Sequence, residues 1–214
     1  MGETNLHKYL KCLGIKYLDE QGCGLIATEI YVTKSASDTW INGDAELKAR
    51  IDNHTKYLDI ARYEQYYKES HDSDSKWIID VLGIGSVNIM AKDESQSNRF
   101  YQPMKKIGTE ILVRGIEVKV SRSDFLTGYV QTGLNYHYVL CPELLVKKSE
   151  VPKHVGLLYW GGGRSTTVYC AKRPQRMELN TDMFEFYKNS IYGRYHSLIM
   201  NMNRDQIKFL WEKV

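Results

Sequence analysis

The stretch IEVKVSRSDF, residues 116–125, decides the predicted fold. Apolar and charged residues alternate in its first half, which is typical of a β-strand because successive side chains point to opposite faces of a sheet. Glu117 and Lys119 then lie side by side on the face opposite the apolar residues. Ser123 is the predicted N-cap of a helix that begins directly afterwards. The sequence therefore places a carboxylate and an ammonium group together at a strand-to-helix transition.

Two other apolar runs each contain one carboxylate. The run WIIDVLGI, residues 77–84, is too short and too rich in β-branched residues for a helix, so it predicts a central strand that contains Asp80. The run LIATEIYV, residues 25–32, predicts another strand, which contains Glu29. Burying a lone carboxylate costs free energy unless a cation, a metal ion or hydrogen-bond donors compensate. We therefore expect a partner opposite each of these carboxylates.

The rest of the chain predicts helices and strands around these runs. We expect an α/β fold in which a central mixed β-sheet of about five strands is flanked by helices. The other predicted elements are helices at 5–21, 44–70 and 182–214, the last broken near 201–203, strands at 136–141, 155–160 and 166–170, and an excursion with a hairpin tip over 91–113.

Composition restricts the class of protein without defining its function. The chain has 214 residues, 43% hydrophobic and 26% charged, which suits one domain over 1–214 with a core of about 5–175 and helical C-terminal residues of about 181–214. Its four cysteines are widely spaced, and it has neither a membrane-length apolar run nor an N-terminal apolar signal, so we expect a cytoplasmic protein without membrane contact. A net charge of +3 allows an anionic partner but does not require one.

A divalent-metal site would explain the unusual carboxylates together. Oxygens from Asp80 and Glu117 suit a hard cation such as Mg²⁺ or Mn²⁺, and the carbonyl of Val118 could complete its shell. Such an ion lowers the pKa of water and neutralises charge on a phosphate. Lys119 would hold the attacking water. This chemistry is that of phosphodiester hydrolysis.

These residues resemble those of the PD-(D/E)XK nuclease superfamily. Its signature is a carboxylate ending one strand, then Glu-x-Lys on the next strand, then a helix, and Asp80 with Glu117-Val118-Lys119 is similar to it. The phrases EVKVSRSDF at 117–125 and NYHYVLCPELL at 135–145 also resemble small phage and bacterial proteins of the MmcB-type group linked to DNA repair. The resemblance covers roughly residues 24–160.

The resemblance implies a restriction-endonuclease-like core that hydrolyses DNA with Mg²⁺ or Mn²⁺. It would make Asp80 and Glu117 the metal ligands, Lys119 the catalytic lysine and Glu29 an assisting acid, with Gln131 as a polar residue near the site. The spacing of 37 residues between Asp80 and Glu117 is longer than is usual in the superfamily. Either an insertion between the two catalytic strands forms a hairpin over the site, or another acidic residue is the ligand.

Basic residues supply candidates for nucleic-acid contacts. Arg122 directly follows the Glu-x-Lys strand, where it could contact a phosphate. Other basic residues gather after the sheet, where they could follow a phosphate backbone if they share a face. The candidates in that group include Lys147, Lys148 and Arg173.

Several alternatives remain open at the level of sequence. Glu-x-Lys on its own is also typical of the solvated face of a strand, and Glu29 could instead pair with a buried Lys or Arg. A different class of function is a catalytically inactive nuclease-fold module that binds nucleic acid or a protein. In such a module, basic side chains rather than an ion would partner Asp80 and Glu117. DNA versus RNA, strandedness, endo- versus exonuclease activity and a possible homodimer are not distinguished.

Overall fold

The computed structural model describes residues 3–33, 76–92, 104–126, 134–179 and 181–202. These residues form three α-helices and six strands, connected by turns and a short 3-10 turn. In chain order the elements are α1 (Asn5–Glu20), β1 (Cys23–Thr33), β2 (Lys76–Lys92), β3 (Met104–Val118), α2 (Arg122–Leu126), β4 (Tyr136–Pro142), β5 (Val155–Trp160), β6 (Val168–Lys172) and α3 (Thr181–Met200).

All six strands belong to one mixed sheet in the order β1-β2-β3-β4-β5-β6. β1, β2 and β3 form an antiparallel meander, β3, β4 and β5 are parallel, and β6 is antiparallel to β5. A parallel neighbour needs a crossover connection, and the chain between β3 and β4 contains α2. The predicted α/β fold with a helix-flanked mixed sheet is confirmed, with six strands instead of about five.

Helices cover both faces of the sheet. Val81 and Leu82 are neighbours on β2 and therefore point to opposite faces. Val81 shares a buried cluster with Leu10 of α1, whereas Leu82 shares another with Tyr187 of α3. A third cluster surrounds Phe125 of α2 and extends to β4 and β5. The core is thus split by the sheet.

The region between the two carboxylate strands differs from the expected excursion. Residues 107–113 and 116–118 belong to one continuous strand, β3, and β2 runs on to Lys92. The two strands stay paired from Val81–Ile116 to Lys92–Met104, with an irregularity opposite Ile89 and Met90. The long spacing between Asp80 and Glu117 therefore comes from a hairpin that continues their own strands.

The predicted N-cap at Ser123 is wrong by two residues. The backbone N–H of Asp124 donates to Ser121 Oγ at 3.1 Å, and the N–H of Phe125 donates to the carbonyl of Ser121 at 3.0 Å. Ser121 is therefore the cap, because a cap must accept from the first-turn N–H groups. Both serines suit the position by type, so the sequence did not separate them.

Some predictions lie outside the described residues. They are the helix at 44–70, the turn of the hairpin at 93–103, Gln131 and the tail at 203–214. Within the described part of the chain, no helix is both long and apolar enough to cross a membrane.

Candidate active site

Asp80 and Glu117 meet where β2 and β3 separate. The paired register of these strands ends at Val81 and Ile116, so the next residues along are Asp80 and Glu117. There the Oδ2 atom of Asp80 accepts the backbone N–H of Val118 at 2.8 Å, a side-chain bond in the place of a ladder bond. Asp80 is 7% exposed and Glu117 4% exposed. The structure thus places two carboxylates from neighbouring strands next to each other below the surface.

Glu117 is held in conditions that disfavour its negative charge. Burial, followed by the negative charge of Asp80, raises the pKa of the Glu117 carboxyl well above its usual range. Its Oε1 atom is buried and has no hydrogen-bond partner among the described residues. Two buried carboxylates can share a site only if a proton or a cation reduces their repulsion.

Lys119 is anchored beside the carboxylates by the start of α2. Its Nζ atom lies 3.6 Å from Oδ1 of Asp124, and Oδ2 of Asp124 accepts the N–H of Val120 at 2.9 Å. Lys119 is 7% exposed, and its positive charge acts to lower the pKa of Glu117 against the effect of burial. Lys119 thus lies close enough to Glu117 for its charge to act on that carboxyl.

His137 adds a neutral imidazole to this region. It is buried on β4 opposite Gly115 of β3. Burial, followed by the positive charges of His154 and Lys119, lowers the pKa of His137 to about 3. Its ring therefore carries no charge near neutral pH.

A row of side chains on and just before α1, which sequence reasoning missed, faces Asp80. Lys11 Nζ lies 3.3 Å from Asp80 Oδ1 and 2.8 Å from Glu3 Oε1, and His7 Nε2 lies 3.4 Å from Asp80 Oδ2. His7 and Lys11 are four residues apart, which places them on one face of α1, and Glu3 lies two residues before the helix begins. That spacing was a signal in the sequence. Only the fold shows that the row meets β2.

The contacts with α1 set the charge state of Asp80. Burial alone would raise the pKa of the Asp80 carboxyl, but the close contact with His7, the hydrogen bond from Val118 and the positive charges of His7 and Lys11 lower it overall. Burial likewise opposes the charged form of Lys11, yet the hydrogen bond to Glu3 and the charge of Asp80 raise the pKa of its ammonium group. Asp80 and Lys11 thus form a charged pair.

Glu29 contacts Lys11, which in turn contacts Asp80. Its Oε1 atom lies 3.2 Å from Lys11 Nζ, its Oε2 atom accepts from Arg194 at 2.6 Å, and the hydrogen bond from Lys11, against the effect of burial, lowers the pKa of its carboxyl. The alternative expectation, a Lys or Arg partner for Glu29, is therefore met. Glu29 also has a φ of 56°, a left-handed conformation that costs a residue with a side chain about 1–2 kcal/mol. This twist occurs in β1 directly beside Asp80 of β2.

The donor set is compatible with one divalent cation. Asp80 and Glu117 offer hard oxygen ligands, and the unsatisfied Glu117 oxygen is a buried acceptor that a cation would neutralise. Among the described residues, no three His, Cys, Asp or Glu side chains are grouped in the arrangement of a metal site. Protein ligation by two carboxylates suits Mg²⁺, which usually keeps several of its waters.

Three of the predicted nucleic-acid contacts, Arg122, Lys147 and Lys148, lie around the turn that contains Glu150. Arg122 pairs with both carboxylate oxygens of Glu150, so its guanidinium is already engaged within the protein. Lys147, Lys148 and Arg173 are exposed. Gln131 lies outside the described residues.

Comparisons with known proteins show no family. No family profile matches the chain, and no curated protein sequence matches it significantly. Among solved structures, it is similar to a protein of unknown function from Silicibacter pomeroyi, with 13% sequence identity and a TM-score of 0.33. That similarity covers 54% of this chain and 77% of the other.

Proposed function

We propose that this protein is a metal-dependent nuclease that hydrolyses phosphodiester bonds of DNA through Asp80, Glu117 and Lys119. The observation that carries the proposal is the meeting of these three buried side chains where β2 and β3 separate. Carboxylates on adjacent strands, with a lysine two residues after the second and a helix following it, are the PD-(D/E)XK pattern. The restriction-endonuclease-like core belongs to the same proposal.

Each residue has a role that follows from its surroundings. Asp80 and Glu117 would hold Mg²⁺ or Mn²⁺, and Glu117 is suited to this because its buried Oε1 atom accepts no hydrogen bond from the described residues. When bound, the ion supplies charge neutralisation on the phosphate and lowers the pKa of a nearby water. Lys119 is fixed by Asp124 in a position to orient that water and to stabilise negative charge in the transition state. Glu29 positions Lys11 instead of contacting the substrate.

The contacts of Lys11 favour a second candidate function. Lys11 and His7 already partner Asp80, which is the arrangement expected of a nuclease-fold module that binds nucleic acid or protein without cleaving it. In this second candidate, the ammonium group of Lys11 neutralises Asp80 permanently. The buried Glu117 Oε1 atom weighs against it, because among the described residues no donor makes a hydrogen bond to that atom, and the charge of Lys119 still leaves the pKa of the Glu117 carboxyl raised.

Cleavage of labelled single-stranded, duplex and branched DNA tests the proposal. Wild-type protein should cut in Mg²⁺ or Mn²⁺ and not in EDTA, and Lys119→Ala and Glu117→Gln should each lose at least about 100-fold in rate, as is typical when a charge-stabilising group is removed. Lys153→Ala and Glu185→Gln are matched controls, because both residues are exposed and lie outside the site. Both controls should cut at the wild-type rate.

The outcomes separate the two candidate functions. Metal-dependent cutting that only the site variants lose supports the nuclease. Metal-independent retention of DNA without cutting, equal in wild type and variants, supports the binding module. RNA oligonucleotides of the same sequence, run in parallel, show whether the substrate is DNA or RNA.

A further inference from the structure

The outer part of β2 and β3 forms a two-stranded ribbon beyond the helix-covered core. We define the ribbon as residues 86–92 of β2 and 104–111 of β3, which remain paired up to Lys92 and Met104. Ile84 and Val113 are the last residues of this strand pair in the buried cluster that contains α3. The same two strands therefore carry the site at one end and an uncovered arm at the other.

One face of the ribbon is exposed along its whole length. Cross-strand partners point to the same face, so the register assigns eight side chains to it. All eight are exposed. They are Ser86, Asn88, Met90, Lys92, Met104, Lys106, Thr109 and Ile111.

The ribbon concentrates exposed apolar side chains. Of the twelve large hydrophobic residues that are exposed in the described part of the chain, five lie on it. Met90, Met104 and Ile111 lie on the exposed face defined above. Exposed apolar side chains grouped in this way mark an interaction site, because leaving them in water costs free energy. The five residues are Ile89, Met90, Met104, Ile107 and Ile111.

The charge of the ribbon is positive. Lys92, Lys105 and Lys106 are exposed, and Glu110, its one acidic residue within the described ranges, pairs with Arg176. Lys105 pairs with Ala91, next to the Lys106–Met90 pair, so lysines project from both faces of the ribbon. Lysine is depleted in the buried centres of protein–protein interfaces. A positive arm with lysines on both faces instead complements a groove with phosphates on both walls.

We propose that the ribbon is an arm that binds a groove of duplex DNA. The proposal rests on the nuclease function above and names its substrate as double-stranded. Lysines would contact phosphates, Ser86, Asn88 and Thr109 would meet base edges, and the exposed Ile and Met side chains would contact the methyl groups of thymines. A two-stranded ribbon fits the DNA major groove, about 12 Å wide, whereas the deep, narrow major groove of duplex RNA excludes it.

Fluorescence anisotropy in EDTA tests the arm separately from cleavage. The probe is a labelled 24-base-pair DNA duplex, with the single strand and the RNA duplex of the same sequence for comparison. The double variant Lys92→Ala/Lys106→Ala should bind the DNA duplex several-fold more weakly, and the slope of log Kd against log salt should fall by about 2. Lys16→Ala/Lys153→Ala removes the same charge from exposed positions outside the ribbon and should bind like wild type.

The remaining outcomes overturn the proposal in distinguishable ways. If the ribbon variant binds and cuts duplex DNA like wild type, the arm is wrong and the nuclease stands. If wild-type protein neither binds nor cuts DNA, both proposals fail. If Ile107→Ser converts a dimer into a monomer without changing DNA affinity, the ribbon is a contact between two copies of the chain and not a DNA arm.

Discussion

At the scale of single residues, the site stores unfavourable electrostatic energy at Glu117. A buried acid whose pKa is raised in the folded state contributes stability below its unfolded pKa, about 4.3, and that contribution is lost as the pH rises through the folded pKa. The effect of pH has the opposite sign at Asp80. The pKa of its carboxyl is lowered in the folded state, so its stabilising contribution is lost as the pH falls. A rise in pH therefore lowers the stability that Glu117 contributes and raises the stability that Asp80 contributes.

The prediction for Glu117→Gln follows from this sign. In EDTA the variant should be more stable than wild type at pH 8, by on the order of 1 kcal/mol or about 2–4 °C in Tm, because a neutral amide replaces a buried charge. The difference in stability between the variant and wild type should narrow as the pH is lowered towards 5. Thermal unfolding by circular dichroism at pH 5 to 9 measures both effects.

Metal ions should reverse this order of stability between Glu117→Gln and wild type. Wild type should gain Tm in millimolar Mn²⁺ through binding to the folded state, and Glu117→Gln should gain much less. Glu185→Gln, an exposed acid on α3, should behave like wild type throughout. If the difference in Tm between wild type and Glu117→Gln changes neither with pH nor with Mn²⁺, Glu117 neither carries an electrostatic penalty nor holds a cation.

At the scale of elements, the strands of the site were predictable and the helix facing them was not. Apolar runs of β-branched residues indicated β1, β2 and β3, and their lone carboxylates indicated a polar site within the sheet. The partner of Asp80 comes from α1, which is 69 residues away along the chain at Lys11. Local patterns report which face of a helix is apolar, but the contact between two distant elements is set by packing.

The same limit of local patterns explains why the sequence did not predict β3 as one continuous strand. Met104–Val118 reads in sequence as two segments, since its outer part is polar and exposed and its inner part is buried. Periodicity detects burial, and burial changes at the border of the core while the strand itself continues. The continuity of β3 depends on its pairing with β2.

The row on α1 leads to a prediction for Lys11→Met. The variant keeps the length of the side chain but leaves Asp80, Glu3 and Glu29 without their shared cation. Breaking a buried ion pair costs about 3–5 kcal/mol, and because Glu3 and Glu29 are partly exposed we expect about 2–4 kcal/mol in urea unfolding in EDTA. Lys8→Met, an exposed neighbour on α1, should change stability by less than about 0.5 kcal/mol.

Mn²⁺ makes this variant informative about function. Removing Lys11 frees a carboxylate oxygen of Asp80, so Mn²⁺ should recover part of the lost stability and bind more tightly than in wild type, as measured by calorimetry. Lys11→Arg should retain stability without this gain. If Mn²⁺ rescues none of the loss, the carboxylates hold no cation and the binding module becomes the better description.

At the scale of the whole molecule, one pair of strands links the site to the ribbon. From Asp80 to Lys92 the strand spans about 40 Å at about 3.3 Å per residue. About twelve base pairs of DNA, at 3.4 Å each, cover the same distance. A duplex with its scissile phosphate at the site would thus meet the end of the ribbon roughly one helical turn away.

This geometry predicts that cleavage depends on duplex length on one side of the cut. With a fixed long arm on one side, kcat/KM should fall as the other is shortened below about ten to twelve base pairs, because the lysines at the end of the ribbon lose their phosphates. The dependence should appear on one side only, since one ribbon extends from each site. Lys92→Ala/Lys106→Ala should cut long and short duplexes at similar, reduced rates, whereas Lys16→Ala/Lys153→Ala should keep the length dependence. Cleavage by wild type that is equally fast on six and on twenty flanking base pairs would separate the ribbon from substrate binding, even if the site itself proves to be a nuclease.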